Sequence, residues 1–343
     1  MKMVYLIGNG FDINLGLDTR YSDFYKIYNR TNSNNKDVLE FKNSIKSETE
    51  LWSDLELGLA KHTDAFSKEN INNFIFLLDD IQDNLAEYIK SEDWDFTLSK
   101  YDEDNFIDDL CHPEKYLRLD EKKEIEIYKN MNNTNVNISV INFNYTDTFS
   151  RMIASRKDNK FNVLKKNNDE LITYKFNEEV HVHGTTEENM LIGVNDTSQI
   201  VNESFRNDVF FVNNFVKKQM NNNTKKFIEE KCIKLIEEAG IICIFGMSFG
   251  ETDKCWWELI LNQLKEDKCK VIVFNVDKEF HPRRSYRIDY YSDRLKKKLL
   301  KYSSNFSVSE KNSIKNNIYT CLNTDMFKIT RIFVDNNLEI MYK

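Results

Sequence analysis

The chain has few residues that break or bend a backbone, with only two prolines and nine glycines among its 343 residues. Pro113 and Pro282 stand alone, and no linker, repeat or low-complexity tract marks a domain boundary. Most of the glycines fall in three clusters, each beside a predicted strand end. Because glycine is so sparingly used elsewhere, these positions are expected to need its backbone freedom or its lack of a side chain.

The chain also lacks paired cysteines and long apolar runs. Its six cysteines are scattered without a Cys-x-x-Cys pair, which argues against a disulfide framework and against zinc. No apolar run approaches the roughly 20 residues that span a bilayer, and the first residues read as a core strand rather than a secretory leader. These features favour a cytoplasmic protein with free thiols and no membrane partner.

Acidic residues outnumber basic ones by 56 to 48, so the formal net charge is −8. That balance argues against a general affinity for nucleic acid or for an anionic membrane. The apolar fraction of 41% and the charged fraction of 30% are typical of a globular protein. At this length the chain can form one large domain or two.

The stretch Met3–Asp12, of sequence MVYLIGNGFD, begins with five apolar residues that predict a short buried strand. Gly8 and Gly10 follow, and a helix-length segment comes after them. In α/β proteins a strand, glycine and helix in this order present backbone N–H groups to a phosphate. A plain turn is an equal alternative, because Ile13 occupies the place of the third glycine of the dinucleotide fingerprint.

Further short apolar runs, separated by helical segments, predict the rest of a sheet. They are Val136–Asn144, Val180–Gly184, Gly240–Gly246 and Val271–Val276. Because most of these runs are continuous rather than alternating, they indicate a parallel sheet covered by helices on both faces. We therefore predict a Rossmann-like α/β fold. The polar segment 155–177 predicts a surface loop or a hairpin.

Residues 37–130, between the first two strands, read as a block of amphipathic helices that is too long for a simple crossover. Apolar residues from Ile71 to Ile89 recur at helical spacing on one face. Ser53 and Glu56 have the spacing of a capping box. We predict a helical insertion or subdomain over 37–130 and an α/β core made of 1–36 and 131–343.

Polar residues follow four of the predicted strands. They form the clusters Gly8–Asp12, Asn142–Asp147, His181–Gly184 and Gly246–Asp253. Any one of these clusters is explained by a turn, a helix cap or a structural hydrogen bond. Ligands of open parallel sheets bind at the carboxyl ends of the strands. Four such clusters at equivalent places therefore predict one shared site.

Three other kinds of site fit the residues less well. His181 and His183 share a strand face, but no third ligand at metal spacing accompanies them. No P-loop sequence occurs. Gly246–Gly250 has the Gly-x-Ser-x-Gly spacing, so a serine hydrolase with Ser248 as nucleophile stays open, with His281 as the only histidine downstream.

In content and order these motifs resemble the bacterial abortive-infection family AbiH. The resemblance is carried by Gly-Asn-Gly-Phe-Asp at 8–12, Thr-x-Tyr at 19–21, Trp-Ser-Asp-Leu-Glu at 52–56, Asn-Tyr-Thr at 144–146, His-x-His-Gly at 181–184 and Gly-x-Ser-x-Gly-Glu-Thr-Asp at 246–253. It spans nearly the whole chain and implies a role in defence against phage. A phage-derived trigger or partner protein and a homo-oligomer are compatible with that role.

More distantly, the motif order is similar to the sirtuin-like NAD-binding core. That resemblance matches Gly8 and Gly10 to the loop that holds the pyrophosphate, Asn144 to the Asn after a strand, His183-Gly184 to the His-Gly that supplies the base, and Gly246, Ser248 and Asn275 to the residues that contact the ribose. The chain departs from that core at Asn9 and Phe11–Asp12, and it has no cysteines to build a zinc ribbon. These departures argue against lysine deacylation and favour cleavage of NAD itself.

Breaking the nicotinamide–ribose bond needs an anchored pyrophosphate, an oriented ribose and an activated water. It needs no acid, because the cationic leaving group departs neutral. We therefore predict a phage-defence effector that binds and hydrolyses NAD or a related nucleotide without a metal, with His183 activating the water and Asn144 orienting the ribose. The residues predicted to bind the cofactor are Gly8, Asn9, Gly10, Asp12, Tyr145, Asp147, His181, Gly246, Ser248, Glu251, Asp253 and Asn275. A nucleotide-sensing or partner-binding module without turnover is the alternative, followed by the serine hydrolase.

Overall fold

A seven-stranded sheet forms the centre of the computed structural model, which describes residues 1–92, 99–132, 135–154, 160–161, 172–224 and 226–329. Its strands are β1 (Lys2–Ile7), β2 (Asn135–Asn142), β3 (Lys160–Phe161), β4 (Thr173–His181), β5 (Ile241–Phe245), β6 (Lys270–Asn275) and β7 (Ile318–Leu322). All strand pairings are parallel except that of β3 with β4. The predicted parallel α/β sheet is confirmed.

The strand order across the sheet is β3-β4-β2-β1-β5-β6-β7. Without the short β3, the six parallel strands stand in the order third, second, first, fourth, fifth and sixth along the chain. This is the strand order of dinucleotide-binding Rossmann folds, whose ligands lie where the order reverses. Here it reverses between β1 and β5. Ile7 pairs with Asn142 on one side and with Phe245 on the other, so β1, β2 and β5 end level with one another.

The described part of the chain contains fifteen α-helices around this sheet. They are α1 (Gly10–Asn14), α2 (Tyr21–Tyr28), α3 (Lys36–Ser47), α4 (Leu55–His62), α5 (Ile71–Glu92), α6 (Lys100–Cys111), α7 (Leu119–Asn132), α8 (Thr148–Ala154), α9 (Glu203–Arg206), α10 (Val209–Phe215), α11 (Lys217–Thr224), α12 (Ile228–Glu237), α13 (Lys254–Lys265), α14 (Ile288–Leu300) and α15 (Val308–Asn316). Short 3-10 helices lie at Leu51–Ser53, Thr63–Ala65, Lys68–Asn70, Pro113–Tyr116, Thr197–Gln199, Glu251–Asp253 and Pro282–Arg287. Within the described ranges, no helix combines the length and the apolar character that crossing a membrane requires.

Helices cover both faces of the sheet, as predicted. Successive side chains of a strand point to opposite faces, and β1 shows the result. Met3, Tyr5 and Ile7 join one core with α1, α6, α7 and α8. Val4 and Leu6 join a second core with α12 to α15. Because β1 is buried on both faces, its sequence is continuously apolar rather than alternating.

A third core lies apart from the sheet and joins α2 to α5 with α9 and α10. In it the rings of Phe74 and Phe211 pack edge to face, with centroids 5.4 Å apart. The predicted apolar face of α5 is buried there. Helices α6 and α7 pack instead on the sheet, through Phe106 and Ile125. The predicted unit 37–130 is therefore shared between two cores, and its boundaries stay a prediction.

Strand β4 begins at Thr173 rather than at the predicted Val180. Its first half alternates polar and aromatic residues, so that Tyr174 is buried while Lys175 and Asn177 are exposed. A search for continuous apolar runs therefore predicts a later start for this strand than the structure shows. Of the predicted polar segment 155–177, residues 160–161 and 172–177 are described, and most of them belong to this antiparallel pair.

The loops after β1 and β5 touch through their glycines. The N–H of Gly10 donates to the carbonyl of Gly246 at 2.8 Å. A Cβ on Gly10 would overlap the Cα of Gly246, and one on Gly246 would lie 2.6 Å from the nitrogen of Phe11. Gly246 also has a φ of +68°. Both glycines are therefore needed because two backbones meet here without room for a side chain.

We expect Gly10→Ala and Gly246→Ala each to lower the free energy of unfolding by about 3 kcal/mol, since backbone atoms block the added methyl group. Gly250→Ala is the matched control, because its Cβ would meet only side-chain atoms at 3.6 and 3.7 Å. Its expected effect is within about 0.5 kcal/mol. Urea unfolding followed by circular dichroism measures all three. Equal losses in the three variants would contradict this packing.

Candidate functional site

One cavity of about 350 Å³ lies over the ends of β1, β2, β4 and β5. We call it the strand-end cavity. All four predicted polar clusters contribute to it, and α2, α4, α5 and α11 form its other side. It is lined by Gly8, Asn9, Asp12, Thr19, Tyr21, Ser53, Asp54, Glu56, Ile89, Phe143, Asn144, Tyr145, Thr146, His183, Lys217, Gly246, Met247, Ser248, Thr252 and Asp253.

Backbone hydrogen bonds within the protein occupy the glycine amides of the first loop. The N–H of Gly8 donates to the carbonyl of Phe245 at 3.0 Å, and that of Gly10 donates to the carbonyl of Gly246. These two amides are not directed at a ligand. Helix α1 is also only five residues long. The expectation that Gly8 and Gly10 hold a pyrophosphate through their amides is therefore wrong for this loop, and the plain turn describes them better.

Asn9 fastens the first loop to the Thr-x-Tyr segment. Its side-chain amide donates to the carbonyl of Thr19 at 2.9 Å, and the Thr19 hydroxyl donates back to its Oδ1. This reciprocal pair fixes the start of α2 against the end of β1. Tyr21, two residues further on, is thereby brought to the wall of the strand-end cavity.

Asn144 is held by a chain of hydrogen bonds across the strand ends. Its side-chain amide donates to the carbonyl of Gly8 at 3.2 Å, and its backbone N–H donates to Oδ1 of Asn142 at 2.9 Å. Asn142 in turn donates to Glu179 at 2.6 Å. His181 contacts the same loop through its ring, whose Nδ1 lies 3.0 Å from the carbonyl oxygen of Asn144.

Asp12 is a buried carboxyl group in the wall of the cavity. Burial raises its pKa to about 7, although the hydroxyls of Thr146, which donates to Oδ2 at 2.8 Å, and of Thr148 oppose that shift, as does the positive charge of Arg151. Its Oδ1 has no hydrogen-bond partner among the described residues. Asp12 therefore exchanges a proton near neutral pH.

His183 follows the end of β4 and lies 8% exposed in the cavity. Its ring packs edge-on against Phe143, with centroids 5.5 Å apart. Burial and then the charge of Lys217 hold its pKa well below the usual range. The imidazole is therefore neutral at pH 7, so it offers one acceptor and one donor nitrogen.

Glu56 and Lys217 form a buried ion pair at 2.7 Å that crosses the cavity wall from α4 to α11. Burial raises the pKa of Glu56 to about 7, although Lys217 opposes this. Asp253, whose Oδ1 has no hydrogen-bond partner among the described residues, has its pKa raised to about 6 by burial. With Asp54, the cavity therefore holds four carboxyl groups and one lysine.

Glu56 was predicted to belong to a capping box with Ser53, which is wrong. Asp54 is the N-cap of α4, since its Oδ1 accepts from the N–H of Leu57 at 3.1 Å. Ser53 donates instead to the carbonyl of Glu50. Glu56 is buried in α4 beside Leu55, and no sequence pattern indicated that burial. No sequence pattern singled out Lys217.

Five of the predicted binding residues do not line the strand-end cavity. They are Gly10, Asp147, His181, Glu251 and Asn275. Gly10 packs against Gly246, and His181 lies behind Asn144. Asp147 pairs with Arg151 at 2.8 Å, and Glu251 pairs with Lys301 at 2.9 Å, both at the surface. Asn275 ends β6, which is separated from β1 by β5. The other seven binding residues, and both predicted catalytic residues, line the cavity.

Ser248 lines the cavity as an exposed residue, but the downstream histidine does not accompany it. His281 is exposed and accepts a hydrogen bond from the N–H of Arg283 at 3.1 Å. It is absent from the lining of the cavity. The Ser248–His281 arrangement of a serine hydrolase is therefore not assembled. Within the described ranges, no three His, Cys, Asp or Glu side chains are placed to hold a metal ion.

Lys217→Met is expected to destabilise the fold by about 3 kcal/mol at pH 8, because it leaves the charge of Glu56 buried and unpaired. The loss should shrink at pH 5, where Glu56 takes up a proton. The double variant Glu56→Gln/Lys217→Met removes both charges and should recover most of the loss. Urea unfolding at the two pH values measures this. A loss that is equal at both would contradict a buried charge pair.

A search of the curated proteins finds no match to the chain. The family model described as "Bacteriophage abortive infection AbiH" matches residues 4–275. That range contains most of β1, all of β2 to β6 and every residue that lines the strand-end cavity. The chain therefore belongs to the bacteriophage abortive infection family AbiH, and this membership indicates a role in abortive infection.

Proposed function

We propose that this protein binds NAD or a related nucleotide in the strand-end cavity and hydrolyses its nicotinamide–ribose bond. One observation carries the proposal. The crevice where the strand order reverses is lined, among the described residues, by the four carboxyl groups of Asp12, Asp54, Glu56 and Asp253 and by one lysine, Lys217. Such a cavity favours a bound group that carries or develops positive charge.

The nicotinamide–ribose bond has this property. When the bond between C1′ and the ring nitrogen breaks, its electron pair goes to the ring, which leaves as neutral nicotinamide. Positive charge then develops on C1′ and the ribose ring oxygen, as in other glycosidic cleavages. Carboxylates near the ribose stabilise that transition state more than the ground state only if they face the sugar rather than the ring.

A water molecule completes the reaction by bonding to C1′ and losing a proton. His183 was the predicted base, but a pKa well below the usual range makes its ring a weak one. Asp12, with a pKa of about 7 and a place in the wall of the cavity, suits proton transfer at neutral pH. We assign the base to Asp12, and we assign the orientation of the ribose and water to Asn144 and the neutral His183.

Hydrolysis of NAD also suits the family role, because loss of a central cofactor would halt metabolism in an infected cell. The sirtuin-like character of the core is part of this proposal and rests on the strand order and on His183 and Asn144 lying in one cavity. Lysine deacylation has no support from the cavity.

Incubation of the purified protein with NAD, followed by chromatography of nicotinamide, tests the proposal. The assay is run with and without lysate from phage-infected cells, so that a trigger is supplied. Asn144→Ala should lose nicotinamide release, and Asn222→Ala, at an exposed position outside the cavity, should keep it. NAD binding without release under both conditions would favour the sensing module. Covalent labelling of Ser248 by a fluorophosphonate would favour the hydrolase.

A further inference from the structure

A second hollow of about 560 Å³ adjoins the strand-end cavity. We call it the basic pocket. It lies among α2, the end of α3 and the 3-10 helix Leu51–Ser53. Asn9, Tyr21 and Ser53 line both spaces, so the two lie side by side at these residues.

The two spaces differ in charge. Arg20, Lys26 and Lys46 line the basic pocket, and none of its described lining residues is acidic. Asp23 is the neighbouring counter-charge, at 2.7 Å from Lys26 and 3.8 Å from Arg20. The two cations are themselves about half or more exposed, whereas Asp23 is partly buried, so Arg20 and Lys26 have the freedom to turn to a bound anion. Lys46 forms no ion pair with any described residue.

The basic pocket also holds aromatic surface and unused polar atoms. The rings of Tyr21 and Tyr25 stack with centroids 6.4 Å apart and an interplanar angle of 24°. The hydroxyl of Tyr25, a residue 8% exposed, has no hydrogen-bond partner among the described residues, and neither has Oδ1 of Asn29. Both residues line the pocket. Unpaired buried polar atoms are costly unless something binds them.

We infer that the basic pocket binds the nucleoside diphosphate half of the substrate, an inference that rests on the proposed function. The carboxyl groups of the strand-end cavity repel phosphates, and the amides of Gly8 and Gly10 are already bonded. A dinucleotide whose ribosyl–nicotinamide end occupies the cavity therefore places its diphosphate across Asn9 and Ser53 toward Arg20 and Lys46. The adenosine end then meets Tyr21, Tyr25 and Asn29.

Charge reversal tests this inference separately from catalysis. The double variant Arg20→Glu/Lys46→Glu is compared with Lys68→Glu/Lys123→Glu, which reverses two exposed lysines that line neither space. Calorimetry measures binding of ADP alone. We expect the first variant to bind ADP at least about tenfold more weakly than wild type, since it loses charge-assisted hydrogen bonds to phosphate, and the second to bind like wild type.

Turnover separates the two proposals. The KM for NAD should rise at least about tenfold in Arg20→Glu/Lys46→Glu, while cleavage of nicotinamide riboside, which has no phosphate, should be unchanged. Charge-dependent ADP binding without any NAD cleavage would leave the inference standing and overturn the proposed reaction. If wild type cleaves NAD but Arg20→Glu/Lys46→Glu changes neither ADP binding nor the KM for NAD, the proposed reaction stands and the inference about the basic pocket is overturned. Failure of wild type to bind ADP would also overturn the inference.

Discussion

Asp12→Asn is expected to reduce nicotinamide release from NAD by at least about a hundredfold, because it removes the group that accepts the proton of the attacking water. The shape of the pH profile should change as well. In wild type, activity should rise as pH passes about 7, where Asp12 ionises. The residual activity of the variant should lack this rise near pH 7, which we call the pH limb. Asp64→Asn, at an exposed position, should behave like wild type. An Asp12→Asn variant that keeps both the wild-type rate and the pH limb would contradict the assignment of Asp12 as the base.

The same substitution is expected to stabilise the protein at pH 8 by about 2 kcal/mol. Burial raises the pKa of Asp12 from 3.8 to about 7, so the folded state holds this proton over a pH range in which the unfolded chain has lost it. Stability from this group is present below pH 4, declines as pH rises to 7 and is then lost. An uncharged amide avoids that loss, apart from the cost of burying its own polar atoms.

Thermal unfolding at pH 5 and pH 8 checks this effect. The melting temperature of Asp12→Asn should exceed that of wild type at pH 8, and the difference should be smaller at pH 5. Asp64→Asn again serves as the control, since it carries no buried charge. A melting temperature below that of wild type at pH 8 would mean that the carboxylate at position 12 stabilises the fold.

The second large effect is expected from His183→Ala and from Asn144→Ala, which should both lose NAD cleavage. Each should lower kcat for NAD cleavage by about a hundredfold, because the ribose and water lose their orientation. The pH limb near 7 should persist in His183→Ala, since His183 is neutral and is not the base. His281→Ala is the matched control, because this exposed ring lies outside the cavity. Circular dichroism confirms folding of each variant.

The pH limb decides between the two candidate bases. If it disappears in His183→Ala and persists in Asp12→Asn, the original prediction of His183 as base is right and the assignment to Asp12 is wrong. If kcat is unchanged in both His183→Ala and Asn144→Ala, neither residue takes part in the chemistry.

The sheet and the meeting of its strand ends could be predicted from sequence for a physical reason. Strands buried on both faces are continuously apolar, so β1, β5 and β6 stand out in the sequence, and parallel strands bring their carboxyl ends to one edge. The sequence does not show where each strand lies in the order of the sheet. Asn275 stands at a strand end like the other candidates, but β5 separates its strand β6 from β1, and the cavity does not reach it.

The polar contacts of the site were less accessible to sequence reasoning. Spacing shows that Gly8 and Gly10 form a turn. It cannot show that the carbonyls of Phe245 and Gly246 accept the hydrogen bonds of their amides. Glu56 and Lys217 are far apart in the chain, and each has the local pattern of an ordinary helix residue. Burial of a charged pair is a property of the fold, and nothing within either segment reports it.

A crystal structure of Asp12→Asn with bound NAD tests the central claim most directly. We predict that intact NAD places C1′ of its nicotinamide ribose in the strand-end cavity, within reach of a water held by Asn144 and His183, about 3–3.5 Å from C1′. Its diphosphate should lie toward Arg20 and Lys46. A nucleotide bound with its ribose outside the cavity, or with the diphosphate against Glu56 and Asp253, would contradict the account.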